Sequence, residues 1–378
     1  MADNKDKKVL NVPALRFPEF TEEWEKVRLG DNCNIQMCKR IMAAQTNTEG
    51  GVPFYKIGTI GSKADAYISK DLFDEYKMKY SFPHKGEVMI TCAGTVGKCI
   101  IYNGEDSYYQ DSNIVWIDNP DKIILNDFLY HLLSRINWSR LNSTTIVRIY
   151  NDDLRNLKLY CPRHDEQKKI TKFLSLIDKR IETQNKIIEK LETLIKGIRH
   201  NIFKQLRKNV GFNATIGNIL SFEQPQRYIV SSAEYSNDCT FTPVLTANKA
   251  FILGYTTETD GIYSKGDCII IDDFTLDCKY VSFPFKVKSS AIKILTAKNK
   301  FILRYTYEYL KSLELSTEEH KRHYIAEVQP HSCVLPDENT LKTIALVFEN
   351  LACKLADEQS LVLILNKQKQ YLLSKMFI

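Results

Sequence analysis

The chain has 378 residues and a formal net charge of +6, from 52 basic and 46 acidic residues. A hydrophobic share of 44% with 11% aromatic residues excludes a mainly disordered chain and allows two or three folded domains. The mild excess of positive charge permits an anionic partner but does not require one.

The cysteine pattern and the apolar runs limit the class of protein. The ten cysteines are scattered, and none forms a C-x-x-C pair or lies at zinc-binding spacing from a histidine. We therefore expect reduced thiols and no metal. The first residues have no apolar signal-peptide core, and no apolar run reaches the ~18 residues of a membrane span. These features predict a cytoplasmic protein without membrane contact.

The first 161 residues predict an N-terminal arm over 1–26 and a mixed α/β domain over 27–161. Short β-branched or alternating runs, each ended by Gly, Asn or Pro, predict strands. The strands fall within residues 52–60, 86–94, 98–104 and 113–119. Residues 126–142 predict a helix, because their leucines, phenylalanine and isoleucine share one face.

Residues 162–207 predict a long helix that begins at Pro162. Its apolar residues alternate at spacings of four and three, which is the heptad seam of a coiled coil, with one polar position. The seam residues are Ile170, Leu174, Ile177, Ile181, Gln184, Ile188 and Leu191. Such a helix, about 50 Å long at 1.5 Å per residue, needs a partner helix to cover its apolar face.

The second half of the chain repeats the first. Residues 208–335 predict a second mixed α/β domain, with strands within 241–247, 251–256, 267–273, 278–283 and 291–297 and a helix over 300–315. Residues 336–378 predict a second long helix, shifted by 174 residues from the first. Its seam residues are Ile344, Phe348, Leu351, Leu355, Glu358 and Leu365.

The repeat leads to a specific fold hypothesis. We predict an α+β fold in which two mixed α/β domains are separated by two long helices, packed as an antiparallel coiled coil about a pseudo-two-fold axis. Gln184 and Glu358 hold equivalent polar positions. We expect them to meet and hydrogen-bond, because a polar seam residue fixes helix register at a cost in stability. The helix pair then forms within one chain and does not require a homodimer.

The motifs exclude several kinds of chemistry. The segment Thr91–Lys98 resembles a phosphate loop, but G-x-x-x-x-G-K-[ST] requires residues other than Cys92 and Cys99. It is either a plain strand–turn–strand or a turn that presents Thr95 and Lys98 to a nucleic-acid backbone. Glu166 and Lys168 match the E-x-K of a nuclease, without an aspartate suitably placed upstream. An amino-methyltransferase motif is also missing, so we assign no catalytic residue.

Arg148 and Tyr150 recur as Arg322 and Tyr324 at the same shift of 174 residues. Either the arginine pairs with an acid and the tyrosine packs in its domain, or the arginine contacts phosphate or guanine and the tyrosine stacks. Other basic and aromatic positions are weaker DNA-binding candidates: Lys39, Arg40, Lys56 and Lys63 in the first domain, and Arg227, Tyr228, Lys249, Lys265 and Lys279 in the second.

Five segments together resemble the specificity subunit of a Type I restriction–modification system. They are PALRFPEFTEEWEKVRLGD (13–31), YNDDLRNLKLYCPRHDEQKKI (150–170), GIRHNIFKQL (197–206), FEQPQRYIVSSAEY (222–235) and TPVLTANKAFILGYT (242–256). Each is loose alone, and the order domain, helix, domain, helix makes the resemblance specific. The second helix departs from the pattern, because Thr340-Leu341 replaces Glu166-Gln167 and Lys369 interrupts its seam.

The resemblance implies a non-catalytic subunit that binds double-stranded DNA. Each domain, as a target-recognition domain, would read one half of a bipartite sequence, while the helices set the spacing and dock two methyltransferase subunits. Restriction and translocase subunits would join that assembly. S-adenosylmethionine, ATP and Mg would be bound by those partners and none by this chain. The alternatives are a coiled-coil scaffold without sequence-specific DNA recognition and a fused nuclease–methyltransferase fragment.

Overall fold

The computed structural model describes residues 11–138, 148–247, 251–315, 317 and 321–378. These residues form two units. Unit 1 comprises the described residues up to Thr183 together with Leu363–Ile378, and unit 2 comprises those from Gln184 to Val362. Each unit therefore contains one mixed α/β domain and a part of each long helix.

Unit 1 is built from short strands and helices, followed by the start of a long helix. Its described strands are β1 (Glu25–Arg28), β2 (Asn34–Met37), β3 (Val52–Tyr55), β4 (Tyr67–Ile68), β5 (Val88–Thr91), β6 (Cys99–Ile101), β7 (Tyr108–Tyr109), β8 (Ile114–Asp118) and β9 (Lys158–Cys161). Its helices are α1 (Leu29–Asn32), α2 (Lys70–Lys79), α3 (Asn126–Ser134), α4 (Asn151–Arg155) and the first part of α5 (His164–Asn209), with a 3-10 turn at Ala43–Gln45.

The main sheet of unit 1 is antiparallel in the order β2-β8-β5-β6 and lies between two apolar cores. One face places Val115 and Ile117 in a core with helix α3, and the other places Trp116 in a core with β3 and α2. Because both faces are covered, β8 is a continuous apolar run and does not alternate with polar residues. A second sheet, β4-β3-β7, and the pair β1-β9 complete the unit.

Unit 2 has the same kinds of elements. Its described strands are β10 (Ala214–Thr215), β11 (Leu220–Glu223), β12 (Thr242–Leu245), β13 (Ile252–Thr256), β14 (Cys268–Asp272), β15 (Cys278–Val281), β16 (Lys286–Val287), β17 (Ile292–Ala297) and β18 (Ser332–Cys333). Its helical segments are α6 (Ile216–Ile219), α7 (Lys300–Ser312) and α8 (Glu338–Lys375, shared with unit 1), with a 3-10 turn at Pro225–Tyr228 and a π-helical turn at Tyr324–Val328.

The two units have the same strand topology. Sheet β11-β17-β14-β15 matches β2-β8-β5-β6 strand for strand, β13-β12-β16 matches β4-β3-β7, and β10-β18 matches β1-β9. Parallel pairing also recurs at the same place, between β3 and β7 and between β12 and β16. The internal repeat is therefore confirmed at the level of topology. Helix α2 was not predicted, and the loop between β13 and β14 has no helix in its place.

The long helices follow the predicted seam. All the seam residues are buried or half-buried. Within unit 2, Gln184 hydrogen-bonds Glu358, while the guanidinium of Arg199 lies 5.9 Å from the ring centre of Phe348. Residue numbers thus rise along one helix as they fall along the other, and the predicted antiparallel pairing is confirmed there. The observed α5 and α8 begin two residues after Pro162 and Pro336. In the described parts of the chain, no helix has both the length and the apolarity to cross a membrane.

Candidate nucleic-acid interface

The turn between β5 and β6 is held in one shape by internal hydrogen bonds. The hydroxyl of Thr91 accepts the backbone N–H of Lys98 at 3.0 Å, and the backbone N–H of Gly97 donates to the carbonyl of Thr91 at 2.8 Å. Gly97 has φ of +84°, and a Cβ atom there would lie 2.1 Å from Cδ1 of Trp138. Glycine is therefore required at this position, and the fixed turn exposes Thr95 to solvent.

The segment that carries Arg148 and Tyr150 lies against this turn. The backbone N–H of Ile149 donates to the carbonyl of Cys92 at 2.9 Å. The guanidinium of Arg148 lies 5.8 Å from the ring centre of Tyr150, whose side chain is exposed at the start of helix α4. We call residues 91–98 and 148–150 the first junction. It groups a hydroxyl, a cation and an exposed aromatic ring, which are the groups that contact phosphates and bases.

Burial sets the charge state of the Cys92 thiol at the first junction. Burial raises the pKa of the Cys92 thiol to about 12, an effect that the nearby charge of Arg148 partly opposes. The thiol is therefore neutral at physiological pH and adds no charge to the junction.

Unit 2 contains an equivalent junction, formed by residues 272–278 and 322–324. The backbone N–H of His323 donates to the carbonyl of Asp273 at 2.9 Å, as Ile149 does to Cys92 in unit 1. The carboxylate of Asp273 also accepts the backbone N–H of Tyr324 at 2.9 Å and pairs with the buried ammonium of Lys293 at 3.0 Å. Arg322 is exposed beside this network. We call this group the second junction.

Two of the predicted aromatic contacts are core residues. Tyr324 is fully buried, with its ring 5.6 Å from that of Phe222, because the π-helical turn directs it into the core of unit 2. Tyr228 is also buried, and its hydroxyl donates to Glu223 at 2.9 Å. Burial argues against a stacking role for both tyrosines, and for Tyr324 it supports the alternative that the tyrosine packs within its domain. Of the two repeated tyrosines, Tyr150 alone has an exposed side chain.

Several of the predicted basic residues already have partners. Arg40 pairs with Asp111 at 2.9 Å, Lys56 with Asp65 at 3.0 Å, and Lys265 with Glu223 at 2.8 Å. The pairs of Arg40 and Lys56 lie at the surface, where an ion pair is weak enough to exchange for a phosphate. The ammonium of Lys39 lies 5.4 Å from the ring centre of Tyr80.

The remaining basic residues differ in exposure. Lys98 is half-buried, and its ammonium donates to the carbonyl of Ile60, which directs it away from the role of a free phosphate ligand. Lys279 is half-buried on β15, whereas Lys63 and Arg227 are exposed. Lys249 lies outside the described residues. The predicted residues that lie at the two junctions are Thr95, Lys98, Arg148, Tyr150, Arg322 and Tyr324, and their role in DNA binding stays a prediction.

The start of helix α5 is a structural anchor. The guanidinium of Arg16 donates two hydrogen bonds of 2.7 Å to the buried carboxylate of Glu166. The side chain of Gln167 is fully buried and bonds the backbone of Ile123, Leu125 and Pro162. Because Glu166 is occupied by this clamp, the structure gives it the helix-start role and not that of a nuclease carboxylate.

Unit 1 also contains a polar and aromatic cavity that was not predicted from the sequence. It lies beside α2 and is bordered by Gln36, Tyr80, Phe82 and Asp118. The available signal was Ser69, whose hydroxyl accepts the backbone N–H of Leu72 at 3.3 Å and so caps the helix that forms one wall. Leu72, Phe73 and Tyr76 at helical spacing would have strengthened that prediction.

Known protein sequences that match this chain include those of type I restriction enzyme specificity subunits. The sequence model of the Type I restriction modification DNA specificity domain matches residues 21–193. The putative type I restriction enzyme specificity subunit S.HindORF215P of Haemophilus influenzae is 46% identical over 191 residues, which is 50% of this chain and 49% of that protein. The EcoR124I/EcoR124II specificity subunit of Escherichia coli is 44% identical over 141 residues, 35% of each chain. The chain thus matches half or less of the length of these curated relatives.

Solved structures share the fold over nearly the whole chain. The S subunit of a Type I restriction–modification system from M. genitalium superposes with a TM-score of 0.63 at 18% identity, covering 97% of this chain and 99% of that one. A chain from a structural study of complex assembly in the type I R-M system gives a TM-score of 0.50 at 15% identity, covering 94% and 97%. At such low identities, these likenesses establish the fold alone.

Proposed function

We propose that this chain is a specificity subunit of a Type I restriction–modification system and recognises a bipartite DNA sequence, with each unit reading one half; the sequence matches to such subunits support this proposal. The observation that carries the proposal is the repetition of the junction in two units of the same topology. In unit 1 the carbonyl of Cys92 accepts the backbone N–H of Ile149, and in unit 2 the carbonyl of Asp273 accepts that of His323, both at 2.9 Å. Each donor residue directly follows an arginine of the repeat. Two copies of one fold with different loop residues suit two half-sites of different sequence.

Within each unit, phosphate contacts would position the duplex and a few side chains would read base edges. Arg148 and Tyr150 are the strongest candidates in unit 1, because the ring of Tyr150 is exposed and the guanidinium of Arg148 lies 5.8 Å from its centre, in a segment that is bonded to a fixed turn. Arg322 is the counterpart in unit 2, with the exposed Arg227 as a further phosphate contact. Tyr324 supports this second site from the core by fixing the segment that carries Arg322.

The long helices would set the distance between half-sites and dock two methyltransferase subunits, which restriction and translocase subunits then join. Their constant seam supports this role, because loops accept length changes that a heptad seam does not. We propose that this chain is non-catalytic. S-adenosylmethionine, ATP and Mg would then be bound by the partner subunits.

Mapping adenine methylation across a genome tests this function directly. Cells that express the methyltransferase partners with this chain should methylate one bipartite motif, and cells that lack the chain should lose that motif alone. Exchange of unit 1 loops for those of a relative should change one half of the motif. An unchanged methylation pattern, with all partners expressed, would contradict the proposal.

The scaffold alternative makes a different prediction for binding. If the chain recognises DNA, the assembled complex should bind its target duplex with an affinity that falls steeply with salt. The logarithm of the binding constant, plotted against the logarithm of the salt concentration, should have a slope of about −0.9 per phosphate contact. A scaffold without a DNA role predicts no such salt-dependent binding after the methyltransferase subunits are added. Filter-binding or fluorescence anisotropy at several salt concentrations separates the two functions.

A further inference from the structure

A cavity of about 590 Å³ opens in unit 1 at one edge of the main sheet. Its walls come from strands β2 and β8, from the end of α2, and from the segment 80–85 that follows this helix. The volume lies in the range of about 300–1,000 Å³ typical of small-molecule sites. Because α2 has no counterpart among the described residues of unit 2, this cavity is a feature of the first unit and not of the repeat.

Aromatic rings form the apolar part of the cavity. Tyr80 contributes an exposed ring, Phe82 a half-buried one, and the buried rings of Tyr102 and Trp116 lie behind them. Phe82 and Tyr102 meet edge to face at 5.8 Å. Partly exposed rings of this kind offer stacking surfaces to a planar ligand, and each base stacked on an aromatic side chain gains about 1–3 kcal/mol.

The polar groups of the cavity match one base edge. Asp118 is an acceptor through both carboxylate oxygens, and one of these is fixed by the side-chain amide of Asn34 at 3.2 Å. Gln36 stands on the neighbouring strand and can donate through its amide nitrogen. Guanine alone among the DNA bases presents two adjacent N–H donors beside a carbonyl acceptor. Adenine, cytosine and thymine each direct a ring acceptor or a carbonyl oxygen at such a carboxylate.

Basic side chains surround the mouth of the cavity. The lysines Lys77 and Lys85 line it together with His84, and the ammonium of Lys39 lies 5.4 Å from the ring centre of Tyr80. Lys77 lies 5.1 Å from the ring centre of Phe82 and pairs with Asp106 at 3.3 Å. An anionic group attached to a base stacked in the cavity would therefore find positive charge at the rim.

We propose that this cavity binds the guanine base of a nucleotide, stacked against Tyr80 and Phe82, with Asp118 accepting from its two N–H groups and Gln36 donating to its carbonyl oxygen. The lysines at the rim neutralise the phosphate. The nucleotide is either free in solution or a guanosine unstacked from DNA, since both present the same base and phosphate. This site does not depend on the proposed function, because a free nucleotide can be titrated without DNA.

Titration of the full chain with 5′-GMP, by calorimetry and by tryptophan fluorescence, to which Trp116 in the cavity contributes, tests the site. We expect 5′-GMP to bind at least tenfold more tightly than 5′-AMP, 5′-CMP or 5′-TMP. Asp118→Asn should weaken 5′-GMP binding at least tenfold and Tyr80→Ala severalfold. Asp31→Asn, which changes an exposed carboxylate outside the cavity, is the matched control and should leave binding unchanged. Thermal unfolding shows that each variant is folded.

No saturable 5′-GMP binding, equal binding of all four nucleotides, or unchanged binding in folded Asp118→Asn protein would overturn the proposal. A second titration identifies the source of the base. Displacement of 5′-GMP by the target duplex identifies a guanosine of the DNA, and simultaneous binding of duplex and 5′-GMP identifies a free nucleotide. If DNA recognition fails but 5′-GMP still binds selectively, the site stands and the proposed function falls.

Discussion

Gln184 and Glu358 meet inside unit 2, where the side-chain amide of Gln184 donates a hydrogen bond to the carboxylate of Glu358. The two residues hold equivalent positions in the seams of α5 and α8, 174 residues apart. Lys354 also pairs with Glu358 from the preceding turn of α8. The hydrogen bonds from Lys354 and then Gln184 lower the pKa of the Glu358 carboxyl, so the carboxylate that holds the register is ionised at physiological pH.

The first prediction concerns this pair. Replacing both residues, Gln184→Leu with Glu358→Leu, should raise the midpoint of thermal unfolding, because an apolar pair in a seam replaces two desolvated polar groups. The same change should loosen the helix register. Cysteines introduced at residues 191 and 351, which face each other in the observed register, should form disulfides in the parent but a broader set of crosslinks in the double variant. An unchanged crosslinking pattern would show that the pair does not set the register.

The second prediction concerns the turn of the first junction. Gly97→Ala should destabilise unit 1, because the residue has φ of +84° and its new Cβ would overlap the ring of Trp138. Gly86→Ala is a matched control, since φ is +93° there but nothing lies within 4 Å of the new atom. Backbone strain alone should cost the control about 1–2 kcal/mol, and overpacking should add about 1–3 kcal/mol at Gly97. Equal free energies of unfolding for the two variants would refute the packing argument.

The third prediction separates the two repeated tyrosines. Tyr150→Ala changes an exposed ring and should alter the free energy of unfolding by less than about 0.5 kcal/mol, while weakening duplex binding about tenfold through the loss of a stacking contact. Tyr324→Ala removes a fully buried ring and should cost about 3–5 kcal/mol of stability. Urea unfolding and anisotropy on the same two proteins provide the measurements. If Tyr150→Ala lowers stability and Tyr324→Ala weakens duplex binding without unfolding, the two roles assigned here are wrong.

The fourth prediction concerns pH. Burial is the main cause that lowers the pKa of His131 to about 4. The charge of Lys369 also lowers this pKa, and the charge of Asp178 partly opposes the shift. In the unfolded chain, the imidazole of His131 is therefore protonated below its ordinary pKa of about 6.5. In the folded protein, the same imidazole stays neutral down to a pH of about 4. Stability from this histidine is present above pH ~6.5 and is lost as the pH falls through this window, to a total of about 3 kcal/mol.

A phenylalanine at this position provides the comparison. His131→Phe should remove this component, so the difference in unfolding free energy between parent and variant should change with pH between about 6.5 and 4. Titratable groups that both proteins share and that do not interact with His131 cancel in that difference. A difference that does not vary with pH would mean that His131 titrates normally in the folded protein.

The periodic parts of the chain were accessible from the sequence. The heptads of α5 and α8 and the antiparallel pairing of Gln184 with Glu358 were predicted from helical periodicity. The strands β3, β5, β6, β8, β12 to β15 and β17 were predicted from short β-branched or alternating runs that end at turn residues. Helix α2 was missed, since its ten residues carry a weaker apolar pattern among many charges. The short pairs β1-β9 and β10-β18 were missed because their strands are distant in the sequence.

Arg148 and Tyr150 share their sequence register with Arg322 and Tyr324, and the sequence could not distinguish the two pairs. The sequence by itself determined the repeat, the helix seam and the fold class, since each depends on the spacing of apolar residues. Only the tertiary structure decided which tyrosine is exposed, that the ammonium of Lys98 bonds the carbonyl of Ile60, and that Gln36, Tyr80 and Asp118 border one cavity. Those relationships depend on how strands and loops far apart in the chain come together, and side-chain spacing carries no information about that.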